Sequence, residues 1–102
     1  VSGTASATTG TSTQVASRVV PVGKTFFVTH VSGGYNSDVI AHVALDLFIG
    51  GVSVLRLDGN SGAGLIFDTP LRAIAGQTVA FNIRQDTGLT VTVAGTFGGY
   101  DE

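Results

Sequence analysis

No stretch of this chain sustains the three-and-four spacing of apolar residues that a helix needs, and fifteen glycines divide its 102 residues into short runs. A glycine inside a helix costs about 1 kcal/mol relative to alanine. Between the glycines stand Val, Ile, Phe, Thr and Leu, the residues that fit a pleated sheet. The expectation is therefore an all-β chain of about 7–8 strands, with strands near 15–20, 24–32, 39–49, 52–57, 64–68, 77–85 and 89–97.

Two hairpins are expected. Gly50-Gly51 between Ile49 and Val52 is a two-residue turn of the kind that takes positive φ at both positions. Asp86-Thr87-Gly88 reads as a three-residue loop between FNIRQ and LTVTV. In the second hairpin Val79, Phe81, Ile83, Leu89, Val91 and Val93 alternate with polar residues, which gives one core face and one wet face. The first hairpin alternates less cleanly. Ala41, Val43, Leu45, Leu47, Ile49, Val52 and Val54 make one apolar face, and His42, Ala44, Asp46, Phe48, Ser53, Leu55 and Leu57 make the other. That second face mixes apolar and charged residues as a subunit contact does. His42, Asp46, Phe48, Leu55 and Leu57 are the expected interface residues.

Charge is scarce. Five Lys+Arg and seven Asp+Glu make 12% of the chain, about half the usual fraction. The mean hydropathy is nevertheless +0.41. A coat of Thr, Ser, Gly and Asn could cover such a domain; contact with another subunit accounts for both the low charge and the apolar excess. No Lys/Arg cluster is present to follow a phosphate backbone, so no nucleic-acid partner is expected. The longest apolar region, Val39 to Leu55, is too short for a membrane helix and contains His42 and Asp46.

Residues 1–14, VSGTASATTGTSTQ, carry no charge and no large apolar residue after Val1. Such a stretch buries too little to offset its ordering entropy. It reads as a flexible or extended N-terminal arm, with Val1, Thr4, Thr8, Thr11 and Gln14 available to contact a neighbour. Residues 15–102 then form a single sandwich domain.

Candidate chemistry is thin. Cysteine is absent, which excludes thiolate nucleophiles and cysteine-bound zinc. His42 and Asp46 share a strand face but stand about 13 Å apart along it, too far for one ion unaided. There is no Gly-x-Ser-x-Gly elbow. Asp58-Gly59-Asn60-Ser61-Gly62 begins like a calcium loop, but Thr69 occupies the place of its closing acid. Asp38, Asp58, Asp68 and Asp86 read as solvated loop carboxylates. No metal, cofactor or catalytic residue is expected, and the chain reads as a non-enzyme.

Four segments carry a resemblance: VPVGKTFFV at 20–28, LFIGGVSVLRL at 47–57, LIFDTPLRAIAGQTVAFNI at 65–83 and VAGTFGGYDE at 93–102. The chain from Arg18 to Glu102 resembles small jelly-roll proteins of tailed-phage virions, above all head decoration, or cement, proteins. The resemblance implies an antiparallel β-sandwich of jelly-roll type and a homotrimer. It also implies a seat on the capsid surface near threefold or quasi-threefold positions, with the major capsid protein as partner. The expected function is then to stabilise the phage head by cross-linking capsid subunits. The alternative is a phage fibre or a receptor- or glycan-binding β-sandwich module.

Overall fold

The runs of β-branched and aromatic residues become eight strands in the computed structural model, which describes residues 1–102, and no helix forms. They are β1 (Ser2–Ala7), β2 (Thr13–Val19), β3 (Thr25–Asn36), β4 (His42–Ile49), β5 (Val52–Asn60), β6 (Gly62–Ile74), β7 (Thr78–Gln85) and β8 (Val91–Asp101). All pairings are antiparallel, in the order β1-β8-β3-β6 and β5-β4-β7-β2. A single bridge, Asn60 to Gly62, joins the two sets at one corner, so the architecture is two four-stranded sheets face to face. We call them the front sheet (β1-β8-β3-β6) and the back sheet (β5-β4-β7-β2). Of the consecutive strands only β4 and β5 pair along their length; the other connections carry the chain between sheets. Eight strands in this order make a jelly roll, the two-sheet double Greek key.

The core lies between the inner faces. Val43, Leu45, Leu47 and Ile49 of β4 and Val79, Phe81 and Ile83 of β7 meet Phe26, Val28 and Val31 of β3 and Val93 and Phe97 of β8. Phe97 receives Phe26 and Phe81 edge-on, with centroids 6.3 and 6.5 Å away, the offset geometry that aromatic quadrupoles prefer. Gly50 and Gly51 have φ of 62° and 81°, as the expected primed turn requires.

Four expectations are corrected. The first concerns residues 1–14. They are not an arm: Ser2–Ala7 pairs with Ala7↔Val91 through Ser2↔Thr96, and Gln14 sits in β2 opposite Asn82. Bulk is not what holds β1. Main-chain pairing to β8 fixes it, and small side chains let it close against β2. A Cβ on Gly3 would overlap the Val15 carbonyl oxygen.

The second correction is that FNIRQ and LTVTV do not form a hairpin. β7 lies in the back sheet and β8 in the front. Leu89 and Thr90 join Asp86-Thr87-Gly88 in an arch long enough for the intersheet gap of about 10 Å. The alternation of Val79, Phe81, Ile83, Val91 and Val93 is as expected, because both sheets turn their apolar face inward. Leu89, off the strand, is half exposed.

Third, the last strand does not end near 97: Gly98-Gly99-Tyr100 belongs to β8, paired with β3.

The fourth correction concerns the interface. Leu47 pairs with Leu55 and Phe48 with Ser53, so Val54 is an extra residue in β5. Such a bulge reverses the facing of everything beyond it. Val54 is exposed, while Leu55 and Leu57 pack against the core. They do not share the outer face with His42, Asp46 and Phe48. Leu55→Asp should accordingly lower folding stability by about 2 kcal/mol. Urea unfolding checks this; an unchanged midpoint would place Leu55 outside the core.

Candidate functional site

Strand crossing gathers four connections at one end: β1–β2, β3–β4, β5–β6 and β7–β8. Two polar side chains tie them together. The Tyr35 hydroxyl donates to the Val39 carbonyl at 2.6 Å and accepts from the Ala41 amide at 2.7 Å. Gln85 is fully buried, and its whole amide is satisfied. Nε2 donates to the carbonyls of Ala7 (3.0 Å) and Leu89 (2.8 Å), and Oε1 accepts from the Thr87 amide and hydroxyl. Buried amides are tolerated when every group is paired.

Beside this end, on the outer face of the back sheet, His42 stands between two carboxylates. Its Nδ1 lies 3.0 Å from Asp86 Oδ2 and its Nε2 lies 2.7 Å from Asp58 Oδ1. Arg56 reaches Asp58 at 3.3 Å and Arg84 reaches Asp86 at 3.5 Å. The result is a five-membered charge row across β5, β4 and β7. Ala44 points outward within this row, between its register partners Asp58 and Arg84, yet is buried. Hydrogen bonds to Asp86 and then Asp58 raise the His42 pKa above its ordinary value. His42 in turn holds both carboxylates below theirs, helped by Arg56 at Asp58 and by Arg84 at Asp86. No group of three or more His, Cys, Asp or Glu is placed to hold a metal ion.

The outer face of the front sheet has the opposite character. Along β1 and β8 it shows Ser2, Thr4, Ala94 and Thr96, which with Ser32 of β3 line an open depression of about 470 Å³. Further along, Phe27 and Tyr100 stack at 5.2 Å with planes 23° apart. Arg72 is the register partner of Phe27 and makes no ion pair. Ile66, opposite His30, is 81% exposed, and Tyr100 is 49% exposed. Arg72 shares this face with one other charged residue, Glu102, which stands opposite Thr25 at the end of β8 and lines an open depression with Thr25, Phe27 and Arg72. Asp68 lies in the β6 bulge, where residues 67–70 stand opposite Thr29 alone.

Compared with family models, curated proteins and solved structures, the chain matches none.

Of the expected interface residues, His42, Asp46 and Phe48 do share an outer face, and Leu55 and Leu57 do not. Of the expected arm contacts, Thr4 is on the front face, Thr8 and Thr11 are in the β1–β2 turn, Gln14 is on the back face and the Val1 carbonyl accepts from the Phe97 amide. Sequence reasoning left out Asp58 and Asp86 as partners of His42. Without its bulge the Gly50-Gly51 hairpin would set Asp58 opposite Val43, on the other face from His42, so the register alone does not find it. Asp86 has no local signal either, because the β4–β7 neighbourhood is set by the fold. The Phe27–Tyr100 stack went unread for the same reason: it joins β3 to β8.

Proposed function

We propose that this chain is a virion structural protein, a decoration or cement protein on the outer surface of a phage head. It stabilises the head by cross-linking capsid subunits, and it acts as a homotrimer with the major capsid protein as partner. No catalysis, metal or cofactor enters this reading. The observation that carries it is the unequal charge of the two outer faces. The back face holds a self-compensated row of Asp, Arg and His. The front face holds small neutral residues, exposed Ile66, the Phe27–Tyr100 stack and, at one end, two charged residues that form no ion pair, Arg72 and Glu102. A patch depleted of charge, with Tyr and Arg anchors, has the composition of a protein contact. Symmetric copies add such contacts by avidity. The resemblance of residues 18–102 to phage decoration proteins points the same way.

The test is co-sedimentation with purified phage heads, alongside light scattering for the oligomer. Tyr100→Ala with Arg72→Ala should weaken binding about tenfold or more, as loss of paired anchors does, and leave the β-type circular dichroism unchanged. Equal binding by the variant would remove the front face from the contact. No binding by the parent protein would remove the capsid.

The exposed aromatic stack also supports the alternative reading, a fibre or glycan-binding module, since an open aromatic face can carry a sugar ring. Saturation-transfer NMR with simple sugars separates the two: transfer to Phe27 and Tyr100 favours the module.

A further inference from the structure

His42 has two ring nitrogens and a carboxylate oxygen against each, at 3.0 and 2.7 Å. An ionised carboxylate only accepts hydrogen bonds. A neutral imidazole has one N–H and one lone pair, so it can satisfy one of these oxygens and must turn a lone pair on the other. Both contacts hold together only when the ring carries two protons. The two carboxylates belong to different parts of the chain. Asp58 is near the end of β5, just before the β5–β6 corner, and Asp86 opens the β7–β8 arch.

Other charged groups near the ring do not compete for it. Arg56 binds Asp58 and Arg84 binds Asp86, which keeps both carboxylates ionised and gives each a second partner. Asp46, four residues along the same face of β4, and Asp38 in the preceding loop make no ion pair. The arch is also linked inward. The Asp86 amide donates to the His42 carbonyl at 3.1 Å. Thr87 binds Gln85, and the Gly88 amide donates to the Thr9 hydroxyl at 3.1 Å. A change at Asp86 therefore reaches the β1–β2 turn.

We propose that His42 is a proton-operated clasp that joins the β7–β8 arch to the β5–β6 corner and releases one of them when the ring loses a proton. Released carboxylates pass to Arg56 or Arg84, so the domain stays folded while its loop end changes shape. The sign follows from the three groups. The raised His42 pKa means its contribution is complete below the ordinary imidazole range, about pH 6.5, and is lost as pH rises through the folded value. The lowered carboxylates contribute above about pH 4 and lose it as pH falls through theirs. The clasp is closed between these limits. This device is independent of what the front face binds.

The experiment is an NMR titration of the whole chain from about pH 5 to 8, reading both imidazoles and the backbone amides. His30 is the control position for substitution: it lies in the front sheet opposite Ile66 and Gly98, away from the arch. His42 should titrate above the ordinary imidazole value, about pH 6.5. The amides of Asp86, Thr87, Gly88 and Ser61 should shift with the His42 midpoint. Asp58→Asn and Asp86→Asn should each lower that midpoint. His42→Gln should abolish the amide transition, and His30→Gln should leave it in place. A His42 midpoint at or below about pH 6.5, or arch amides that do not follow His42, overturns the clasp. The parent titration alone decides it should any variant fail to fold.

Discussion

Phe81→Ala is expected to cost about 3–5 kcal/mol, the range for removing a buried ring from a packed core. Phe81 is fully buried in β7. It meets Phe97 across the sandwich, and its ring fills the space opposite Gly95. A Cβ on Gly95 would come within 2.6 Å of the ring. Front and back sheets are thus keyed at this point, with an aromatic on one side and a missing side chain on the other. Collapse cannot refill the hole, because the strands on both sides are pinned by their ladders. Total stabilities of small domains are about 5–15 kcal/mol, so the variant should be partly unfolded near room temperature or lose most of its denaturation midpoint. Urea unfolding followed by circular dichroism measures it. A loss below 1 kcal/mol would mean that the two sheets do not meet at Phe81.

Removal of residues 1–7 is expected to have an effect of similar size. β1 pairs with β8 over six positions. At about 0.5–1.5 kcal/mol net for each main-chain hydrogen bond, losing that ladder costs several kcal/mol. The truncation also uncovers Val91 and Val93, leaves one face of Val15 without cover and removes Ala7, whose carbonyl takes a hydrogen bond from the buried Gln85. An arm would come off with no change in melting temperature. An integral strand would not, and the truncated chain should melt well below the parent or fail to fold. An unchanged melt of the 8–102 chain sinks this expectation.

Residues 1–14 also mark where the sequence stops being legible. The jelly-roll class rested on the resemblance of residues 18–102, whereas strand content could be read because periodicity and glycine punctuation are local. Val43, Leu45, Leu47, Phe81 and Ile83 were assigned inward correctly for the same reason. β1 was missed because its stability comes from backbone pairing to a strand some ninety residues away. The β5 bulge was missed because one extra residue leaves no mark in composition, yet it reverses Leu55 and Leu57. The arch after Gln85 was read as a hairpin because inward alternation looks the same in either sheet. The charge row needed β4 beside β7, a neighbourhood set by the fold alone. What escaped reading is, in each case, a relation between distant segments.

The pairing of β1 with β8 has a consequence for how the molecule comes into being. During synthesis β1 has no partner until β8 has been made. Only the β4–β5 hairpin can form from sequence neighbours, so loop closure must be paid for across long separations before most contacts form. Folding should be slow for a chain of this length, with the Gly50-Gly51 hairpin as the earliest ordered unit. The front sheet should be the last to close. Until it does, the inner face of β3 and the edge of β3 that β8 will cover are open to other chains. A ribosome-bound fragment ending before Val91 should therefore be sensitive to protease along its whole length, and protection should appear in one step once β8 emerges.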